Sequence, residues 1–307
     1  MISQRISEKD RWKYTKKNFY LIIGLPIIFW ALAFPFIRIG LRYLSPVNLT
    51  ILRFLVVCIV FIFTLLFMPK KFSKLHISDI PSIFLLGFFG VTVYHLGLNY
   101  GEQYVSASTA SLIIAFIPIL VVILAAFFLD EKIKQNMFFG IILSLLGVVI
   151  LSISGSGTRA FFEGTYAVGV LTTFIAALMG AIYTVAGKKL LKRYSPLSLT
   201  VYAMLFGSLG LIPFFTPSLL TEIKSMTVEG WTAVIFLGVF STVIGYVLWY
   251  VALEIKNASE VSMYLCSIPI LSTIISCLFF GEKITVLFIL GGFLVISGLI
   301  MVDKYSR

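Results

Sequence analysis

Three polar residues that could bind a solute or a proton lie within one apolar segment of the chain. His95, Asn99 and Glu102 follow one another at spacings of four and three residues, so they share one face of a helix. Polar side chains at this depth are costly and usually face a bundle interior or a cavity, and histidine changes charge near neutral pH. The pattern predicts a cavity lining, with protons as a candidate coupling ion. A neutral histidine bonded to a neighbouring helix is the alternative interpretation.

A second polar face lies in a later segment, where Tyr246, Trp249 and Tyr250 follow at helical spacing. A sequence repeat with an offset of 151 residues aligns His95 with Tyr246 and Asn99 with Tyr250. Aromatic rings with a hydroxyl or an indole N–H offer a solute an apolar face and a polar edge, although many aromatics in such a chain face lipid. The predicted substrate-binding residues, drawn from several segments, are Trp30, Phe34, Tyr94, His95, Asn99, Ser111, Tyr183, Tyr246, Trp249, Tyr250, Ser262 and Tyr264.

Two prolines occupy matching positions in this repeat. Pro118 and Pro269 each lie near the middle of an apolar segment, where proline removes one backbone hydrogen bond and kinks the helix. Interrupted helices at corresponding places in two halves are typical of the central site of a carrier. The pair is therefore predicted to form hinges beside the site. A packing kink without a functional role is the alternative.

The composition indicates whether these segments fold in water or in a lipid bilayer. Of the 307 residues, 60% are hydrophobic and 12% are charged, whereas a soluble domain carries about 25% charged residues. The chain is therefore predicted to be an integral membrane protein, with the lipid bilayer as a partner. Its net charge of +11 comes from Lys and Arg at the ends of apolar segments. That placement indicates membrane topology and not nucleic-acid binding.

No feature of the sequence indicates catalysis or a bound cofactor. The three cysteines lie in apolar runs, without the spacing of a disulfide framework or of metal ligands. Gly187-Lys188 is followed by Lys189 and not by Ser or Thr, so a phosphate-binding loop is not indicated. We expect no catalytic residues, no metal and no cofactor, and hence a protein that is not an enzyme.

Two copies of one segment, 107–150 and 258–301, lie 151 residues apart. Each contains Ile-Pro-Ile-Leu around its proline and, later, Glu-Lys-Ile in a short turn. A carboxylate near a helix N-terminus interacts favourably with the helix dipole. Glu131 and Glu282 are therefore interpreted as structural residues of the turns before helices five and ten.

The apolar runs predict the number of helices and their arrangement. A membrane-spanning helix needs about 20 apolar residues, and five runs in each copy require the second copy to enter the membrane from the opposite side. The predicted fold is an all-α membrane protein with ten transmembrane helices in two inverted-topology five-helix repeats. The predicted domains are a basic cytoplasmic tail at 1–18, a first repeat at 19–154 and a second repeat at 166–302. The runs are 19–41, 47–68, 81–101, 106–129, 136–154, 166–190, 197–215, 231–253, 258–279 and 284–302.

The distribution of positive charge predicts the orientation. With a cytoplasmic N-terminus, eighteen Lys and Arg residues lie on the inner side and five on the outer side, a strong positive-inside bias. Both termini are therefore predicted to be cytoplasmic, in a multi-pass protein of a prokaryotic cytoplasmic membrane. The remaining arginine, Arg53, falls within the second apolar run, where structural pairing or snorkelling is favoured over a substrate role.

Short motifs occur in a fixed order through both halves. They are Trp30-Ala31, Arg38, Pro46, Arg53-Phe54, Ala110-Ser111, Pro118, Glu131-Lys132, Gly147, Ser262, Pro269, Gly281-Glu282-Lys283 and Gly298. In these motifs the chain resembles the drug/metabolite transporter superfamily, specifically the EamA type with two five-helix repeats, along essentially its whole length after the N-terminal tail. Asp130 departs from the pattern, which has glycine before the glutamate. The resemblance implies a secondary transporter, often an exporter of amino acids or other metabolites.

The expected function is secondary transport of small metabolites by alternating access, in the direction of export, with neutral or aromatic amino acids as the leading substrates. A carrier of anionic organophosphates or nucleotide-sugars, anchored by Arg53 and Arg38, is one alternative. A non-transporting membrane sensor or assembly protein is the other. The stripe of Gly140, Ser144 and Gly147 indicates close helix packing, and both monomer and homodimer stay open.

Overall fold

The structure is a computed structural model that describes residues 16–105, 107–132, 135–155, 164–280 and 286–305. All regular elements in these ranges are helical, which confirms the predicted all-α class. We number ten helical runs α1 to α10, four of which combine shorter helices, and leave the short segments Pro69–Lys71, Ile77–Asp79, Ile212–Phe214 and Ser218–Ser225 unnumbered. The runs are α1 (Lys16–Gly40), α2 (Pro46–Phe67), α3 (Ile80–Gly87, Phe88–Val93 and Tyr94–Gly101), α4 (Ala107–Ile114 and Ile117–Phe128), α5 (Gln135–Gly155), α6 (Gly164–Leu190), α7 (Pro196–Leu209), α8 (Val228–Ile235, Phe236–Ile244 and Gly245–Ile255), α9 (Ala258–Met263, Tyr264–Ser267 and Ile268–Phe280) and α10 (Val286–Tyr305).

Five of these runs have both the length and the apolar composition needed to cross a bilayer. They are Asn18–Gly40, Pro46–Phe67, Ile77–Gly101, Thr165–Leu190 and Val228–Ile255. Large apolar side chains cover the outside of the bundle, as a lipid-facing surface requires: Phe67, Phe127 and Phe293 are each more than 60% exposed. The protein is therefore a multi-pass helical membrane protein, and the full set of ten spans and their inversion stay predictions.

Matching serine-proline pairs start α2 and α7. Ser45 accepts a hydrogen bond from the backbone N–H of Asn48 at 3.3 Å, and Ser195 accepts one from Ser198 at 3.3 Å. Serine satisfies a free N–H at the start of a helix, and proline fits the first turn because its missing N–H would be unpaired there. The sequence predicted helix ends at both pairs, and the structure confirms them.

The helices that contain the two predicted hinge prolines are interrupted on the N-terminal side of each proline. In α4 the Phe116 N–H bonds to the Ile113 carbonyl three residues back, and in α9 residues 264–267 form a tight 3₁₀ turn. These stretches are equivalent in the repeat, and Pro118 and Pro269 lie in the first turn of the helix that follows each. Because proline cannot donate to the preceding turn, the helix tightens and restarts there. A hinge function for the two prolines stays a prediction.

The equivalent helices α3 and α8 share another irregularity. Phe88–Val93 and Phe236–Ile244 are π-helical, with one extra residue in the turn. Thr242 donates from Oγ1 to the Leu237 carbonyl at 2.7 Å, which satisfies a backbone group inside the widened turn. Short π-helical segments of this kind occur frequently at functional sites. Both segments border the cavity described below.

Small residues bring some helices into backbone contact. A Cβ atom on Gly87 of α3 would clash with the Ala203 carbonyl of α7, and one on Gly298 of α10 with the Gly140 carbonyl of α5. Ser144 of α5 donates to the Val295 carbonyl of α10 at 3.3 Å. The predicted stripe of small residues is thus used for helix packing within one chain.

A carboxylate of the first half caps a helix of the second half. Glu131, in the turn after α4, accepts hydrogen bonds from the backbone N–H of Ala258 at 2.8 Å and of Ser259 at 3.1 Å. It also accepts the Ser259 hydroxyl at 2.6 Å. The sequence interpretation placed this carboxylate at the start of α5, but it binds the start of α9, whose N-cap Asn257 provides no side-chain cap. Its repeat equivalent, Glu282, lies outside the described residues.

Candidate functional site

A cavity lies at the centre of the bundle, between α1, α2, α3, α4, α6, α8 and α9. It encloses about 670 Å³ of space between the helices, part of which is its open mouth. Its wall is mostly aromatic and aliphatic, with a few polar groups. The lining residues are Trp30, Ala33, Phe34, Ile37, Arg53, Gly90, Tyr94, His95, Leu98, Ile114, Ile117, Gly180, Tyr183, Thr184, Ser241, Tyr246, Trp249, Leu265 and Ile268.

Trp30 of α1 organises the aromatic wall. Its ring packs edge to face against Tyr246 at 5.4 Å and against Trp249 at 5.2 Å between centroids. Its indole N–H donates to the Ser241 carbonyl at 2.9 Å, inside the π-helical segment of α8. Tyr183 of α6 continues the wall, 5.5 Å from Tyr246. Edge-to-face pairs stabilise rigid aromatic surfaces, so the wall is preorganised for a flat, apolar group.

His95 of α3 is the point where the two polar faces meet. It is 1% exposed, and its Nε2 lies 3.3 Å from the Tyr246 hydroxyl of α8. Its ring packs between Phe54 at 4.9 Å and Tyr94 at 4.8 Å. Its other nitrogen, Nδ1, has no hydrogen-bond partner in the described part of the chain. The histidine therefore offers one ring nitrogen to α8 and keeps the other free.

Arg53 of α2 places a guanidinium group at the cavity wall. It is 2% exposed and donates to Thr242 Oγ1 at 2.8 Å and to Ser241 Oγ at 3.2 Å. Both acceptors are neutral hydroxyls of α8, and within the described ranges no carboxylate lies within 4 Å of the guanidinium. A buried positive charge held only by neutral groups can attract an anionic group. The sequence pattern favours a structural role for Arg53, and this residue was not among the predicted substrate-binding residues, although an arginine inside an apolar segment was the signal.

The structure brings seven of the twelve predicted substrate-binding residues to the cavity wall. Two further polar residues at the wall, Thr184 and Ser241, were missed, because single hydroxyls in an apolar helix are common and usually bond their own backbone. Thr184 does so, donating to the Gly180 carbonyl at 2.9 Å. The seven predicted residues are Trp30, Phe34, Tyr94, His95, Tyr183, Tyr246 and Trp249.

Asn99 and Tyr250 lie behind the wall and not on it. The Asn99 side chain is fully buried and donates to Thr50 Oγ1 of α2 at 2.8 Å. Tyr250 stacks on Tyr183 with ring centroids 5.1 Å apart and planes at 8°. Tyr250 thus supports a cavity residue, whereas Asn99 joins α3 to α2 outside the cavity lining.

The remaining three predicted residues are also away from the cavity lining. Ser262 of α9 donates to the Ser259 carbonyl of its own helix at 3.0 Å. Tyr264 packs edge to face on Phe19 of α1 at 5.9 Å, and Ser111 of α4 is buried at 1% exposure. The cavity is instead bordered at these helices by aliphatic residues one turn further along.

A multi-pass helical bundle with a central aromatic and polar cavity defines a membrane transporter. The chain belongs to the EamA-like transporter family, whose model matches it twice, at residues 18–153 and 167–302. Two copies of the family unit therefore make up most of the chain.

Several relatives cover nearly the whole chain. An uncharacterized transporter of Archaeoglobus fulgidus is 37% identical over 93% of this chain and 98% of its own length. The uncharacterized transporter YdfC of Bacillus subtilis is 33% identical over 91% of this chain and 87% of its own. A probable terminal-alkyne amino-acid exporter of Streptantibioticus cattleyicolor is 30% identical over 91% of each chain.

A solved crystal structure shares the fold. It superposes with a TM-score of 0.72 at 20% sequence identity and covers 95% of this chain and 98% of its own. At that identity the likeness concerns the fold alone.

Proposed function

We propose that this protein exports small neutral metabolites across the cytoplasmic membrane, with neutral or aromatic amino acids as its substrates. The observation that carries the proposal is a cavity lining that combines aromatic rings with one guanidinium group, which has no carboxylate partner in the described residues. An amino acid has a carboxylate that a guanidinium group can bind and a side chain that can pack against aromatic rings. The relative from Streptantibioticus cattleyicolor, named as an amino-acid exporter, supports the same class of substrate.

The cavity provides a partner for each part of such a substrate. Arg53 is positioned to bind the α-carboxylate through its fork of N–H groups. The faces of Trp30 and Tyr246 suit the α-ammonium group and an aromatic side chain. The Tyr183 hydroxyl, which has no partner in the described residues, adds one further polar contact. No carboxylate is among the lining residues, so a dibasic amino acid would lack a counter-charge.

Alternating access follows from the two halves. Two related halves in inverted orientation produce an outward-open and an inward-open state from one type of movement. The interrupted helices α4 and α9 reach the cavity through Ile114, Ile117, Leu265 and Ile268. The matching interruptions beside Pro118 and Pro269 supply the flexible points for this movement. The excess of positive charge at the predicted inner ends supports cytoplasmic termini.

Arg53 also favours a second candidate function, the transport of organic anions such as organophosphates or nucleotide-sugars. One guanidinium group is enough for a monocarboxylate, whereas a phosphate ester with two charges is usually bound by several basic groups. Arg38 lies on α1 nearer the outer end and is exposed, outside the cavity lining. The neutral amino acid is therefore the better fit.

Counterflow in proteoliposomes at equal pH tests the proposal. Proteoliposomes that contain the purified protein are loaded with L-phenylalanine, L-alanine, L-lysine or glucose 6-phosphate, and uptake of the labelled solute is followed. We expect exchange of L-phenylalanine and not of glucose 6-phosphate, and loss of exchange in Trp30→Leu. Trp231→Leu is the matched control, because Trp231 of α8 is 37% exposed and lies outside the cavity lining. Exchange of glucose 6-phosphate alone would establish the second candidate, and absence of any exchange would leave a non-transporting protein.

A further inference from the structure

Three residues on one face of α3 carry buried polar atoms without a partner. His95 Nδ1, Asn99 Oδ1 and both carboxylate oxygens of Glu102 make no hydrogen bond within the described residues. Their side chains are at most 2% exposed. Most buried polar side-chain atoms in proteins are hydrogen-bonded. A row of unpartnered polar atoms therefore marks a place where the protein binds something polar.

The row connects the outer end of α3 to the central cavity. Glu102 follows the last residue of α3, and His95, seven residues earlier, lies at the cavity wall. Along a helix this separation is about 10 Å. Asn99 lies between them and is held to α2 through Thr50. The row of polar groups therefore extends from the cavity wall to the outer end of α3, with no hydrogen bond between its members in the described part of the chain.

The charges around Glu102 identify what it can bind. Arg38 of α1 and Arg53 of α2 interact electrostatically with the carboxylate, but neither forms an ion pair with it among the described residues. Arg38 donates instead to the Val105 carbonyl at 3.4 Å. Tyr94 of α3 also interacts electrostatically with Glu102. The packed helix α6 carries Tyr166, Tyr183 and, in its last turn, Lys188 and Lys189.

A proton suits this environment better than a metal cation. Hard cations take six or more oxygen ligands, whereas Glu102 and Asn99 offer three free oxygens, and two arginines repel added positive charge. Burial opposes the charged carboxylate, and the two guanidinium groups favour it. Burial is the larger of the two effects and raises the pKa of Glu102, and a movement of α1 or α2 during transport would change how far the guanidinium groups offset it.

We propose that Glu102 binds the proton whose gradient drives transport, with His95 as the polar group at the cavity end of the same row. The inference rests on the proposed export function and adds its coupling ion. One carboxylate oxygen takes up a proton from the outer side to form the neutral acid. The same O–H bond breaks when the proton leaves toward the inner side, and no other bond changes.

Infrared difference spectroscopy of the reconstituted protein tests proton binding without any substrate. Buffer is changed from alkaline to acidic, and the C=O band of protonated carboxyl groups is recorded. We expect a band in the wild type that is missing in Glu102→Gln and retained in Glu229→Gln. Glu229 is the matched control, because it is an exposed carboxylate on the same side that already bonds Arg42 and Tyr43. A band of equal size in Glu102→Gln would overturn the proposal.

Proton-driven accumulation of L-phenylalanine tests the coupling. For one proton per solute, a gradient of about one pH unit supports about ten-fold accumulation. We expect a ratio near this value in the wild type and in Glu229→Gln, and a ratio of about one, with no net accumulation, in Glu102→Gln. Replacing sodium by choline should change nothing. Full accumulation by Glu102→Gln, or accumulation that follows a sodium gradient, would contradict the proposal.

Two further outcomes separate this inference from the proposed function. Wild-type protein that exchanges L-phenylalanine at equal pH but ignores a pH gradient keeps the function and refutes the proton site. Wild-type protein that exchanges no amino acid refutes the function. Glu102→Asp identifies a purely structural role: if it and Glu102→Gln lose counterflow and thermal stability equally, the carboxylate supports the fold and the proposal is wrong.

Discussion

His95 and Tyr246 are repeat equivalents, 151 residues apart, and their side chains are in direct contact, with Nε2 and Oη 3.3 Å from each other. In the predicted arrangement of two halves about a two-fold axis, equivalent residues touch only close to that axis. The contact therefore places this pair at the centre of the molecule. Ser144 of α5 and the Val295 carbonyl of α10, again 151 residues apart, make a second contact of this kind.

Removing the Tyr246 hydroxyl should weaken substrate exchange more than it weakens the fold. Tyr246→Phe keeps the ring packed on Trp30 and deletes the contact with His95. A hydrogen bond is worth about 1 kcal/mol, so we expect about a five-fold higher concentration for half-maximal counterflow. Tyr100→Phe, at an exposed position of α3, is the control. Equal behaviour of the two variants would show that the central contact does not serve transport.

Arg53 should not tolerate replacement by lysine. Its fork donates to two hydroxyls of α8 at once, which a lysine ammonium on its flexible stem does not reproduce. We expect Arg53→Lys to raise the half-maximal concentration of L-phenylalanine by about ten-fold or more, equivalent to at least ~1.4 kcal/mol. The measurement is ligand-induced shift of the unfolding temperature.

Arg42→Lys is the matched control for this change, because Arg42 bonds the exposed Glu229 at 3.3 Å. The control variant should behave as the wild type. Unchanged ligand response in Arg53→Lys would indicate that the guanidinium group only joins α2 to α8 and does not bind the substrate.

Loss of the Glu131 carboxylate should loosen the contact between the halves. Glu131→Gln replaces charged hydrogen bonds to the start of α9 by neutral ones. Hydrogen bonds to charged groups contribute about 1.5–3 kcal/mol, so we expect a lower unfolding temperature in detergent. Glu260→Gln, which weakens the 3.8 Å pair with Lys256, should have a smaller effect. A larger effect at Glu260 would assign the stabilising role to that pair.

The contact between α3 and α7 should not accept a methyl group. A Cβ on Gly87 would meet the Ala203 carbonyl and the backbone of Gly207, whereas a Cβ on Gly24 would meet nothing within 4 Å. Gly87→Ala must therefore push α3 away from α7, and α3 carries residues of the cavity wall. We expect a lower unfolding temperature and a broadened size-exclusion profile, with Gly24→Ala as the control. A monodisperse, equally stable Gly87→Ala protein would show that the helices can separate without cost.

Local properties of the chain were sufficient for the class and for much of the site. Hydrophobic composition and the length of the apolar runs indicate that the chain folds in a lipid bilayer. Serine-proline pairs indicate where α2 and α7 begin. The repeat correctly aligned His95 with Tyr246. These inferences succeed because they depend on residues that are close in sequence or on an alignment of the chain with itself.

The tertiary structure decided which neighbouring helix, or the cavity, each side chain of one helix face contacts. Asn99 and His95 follow one another on α3, yet the Asn99 amide is bound by Thr50 of α2 while His95 borders the cavity. Arg53 is held at the cavity by two hydroxyl acceptors of α8, nearly 190 residues away in the sequence. Glu131 likewise binds a backbone N–H of α9 that is distant in the sequence. A helical face spans more than one neighbour, and which neighbour each residue meets depends on packing between distant segments, which no local pattern encodes.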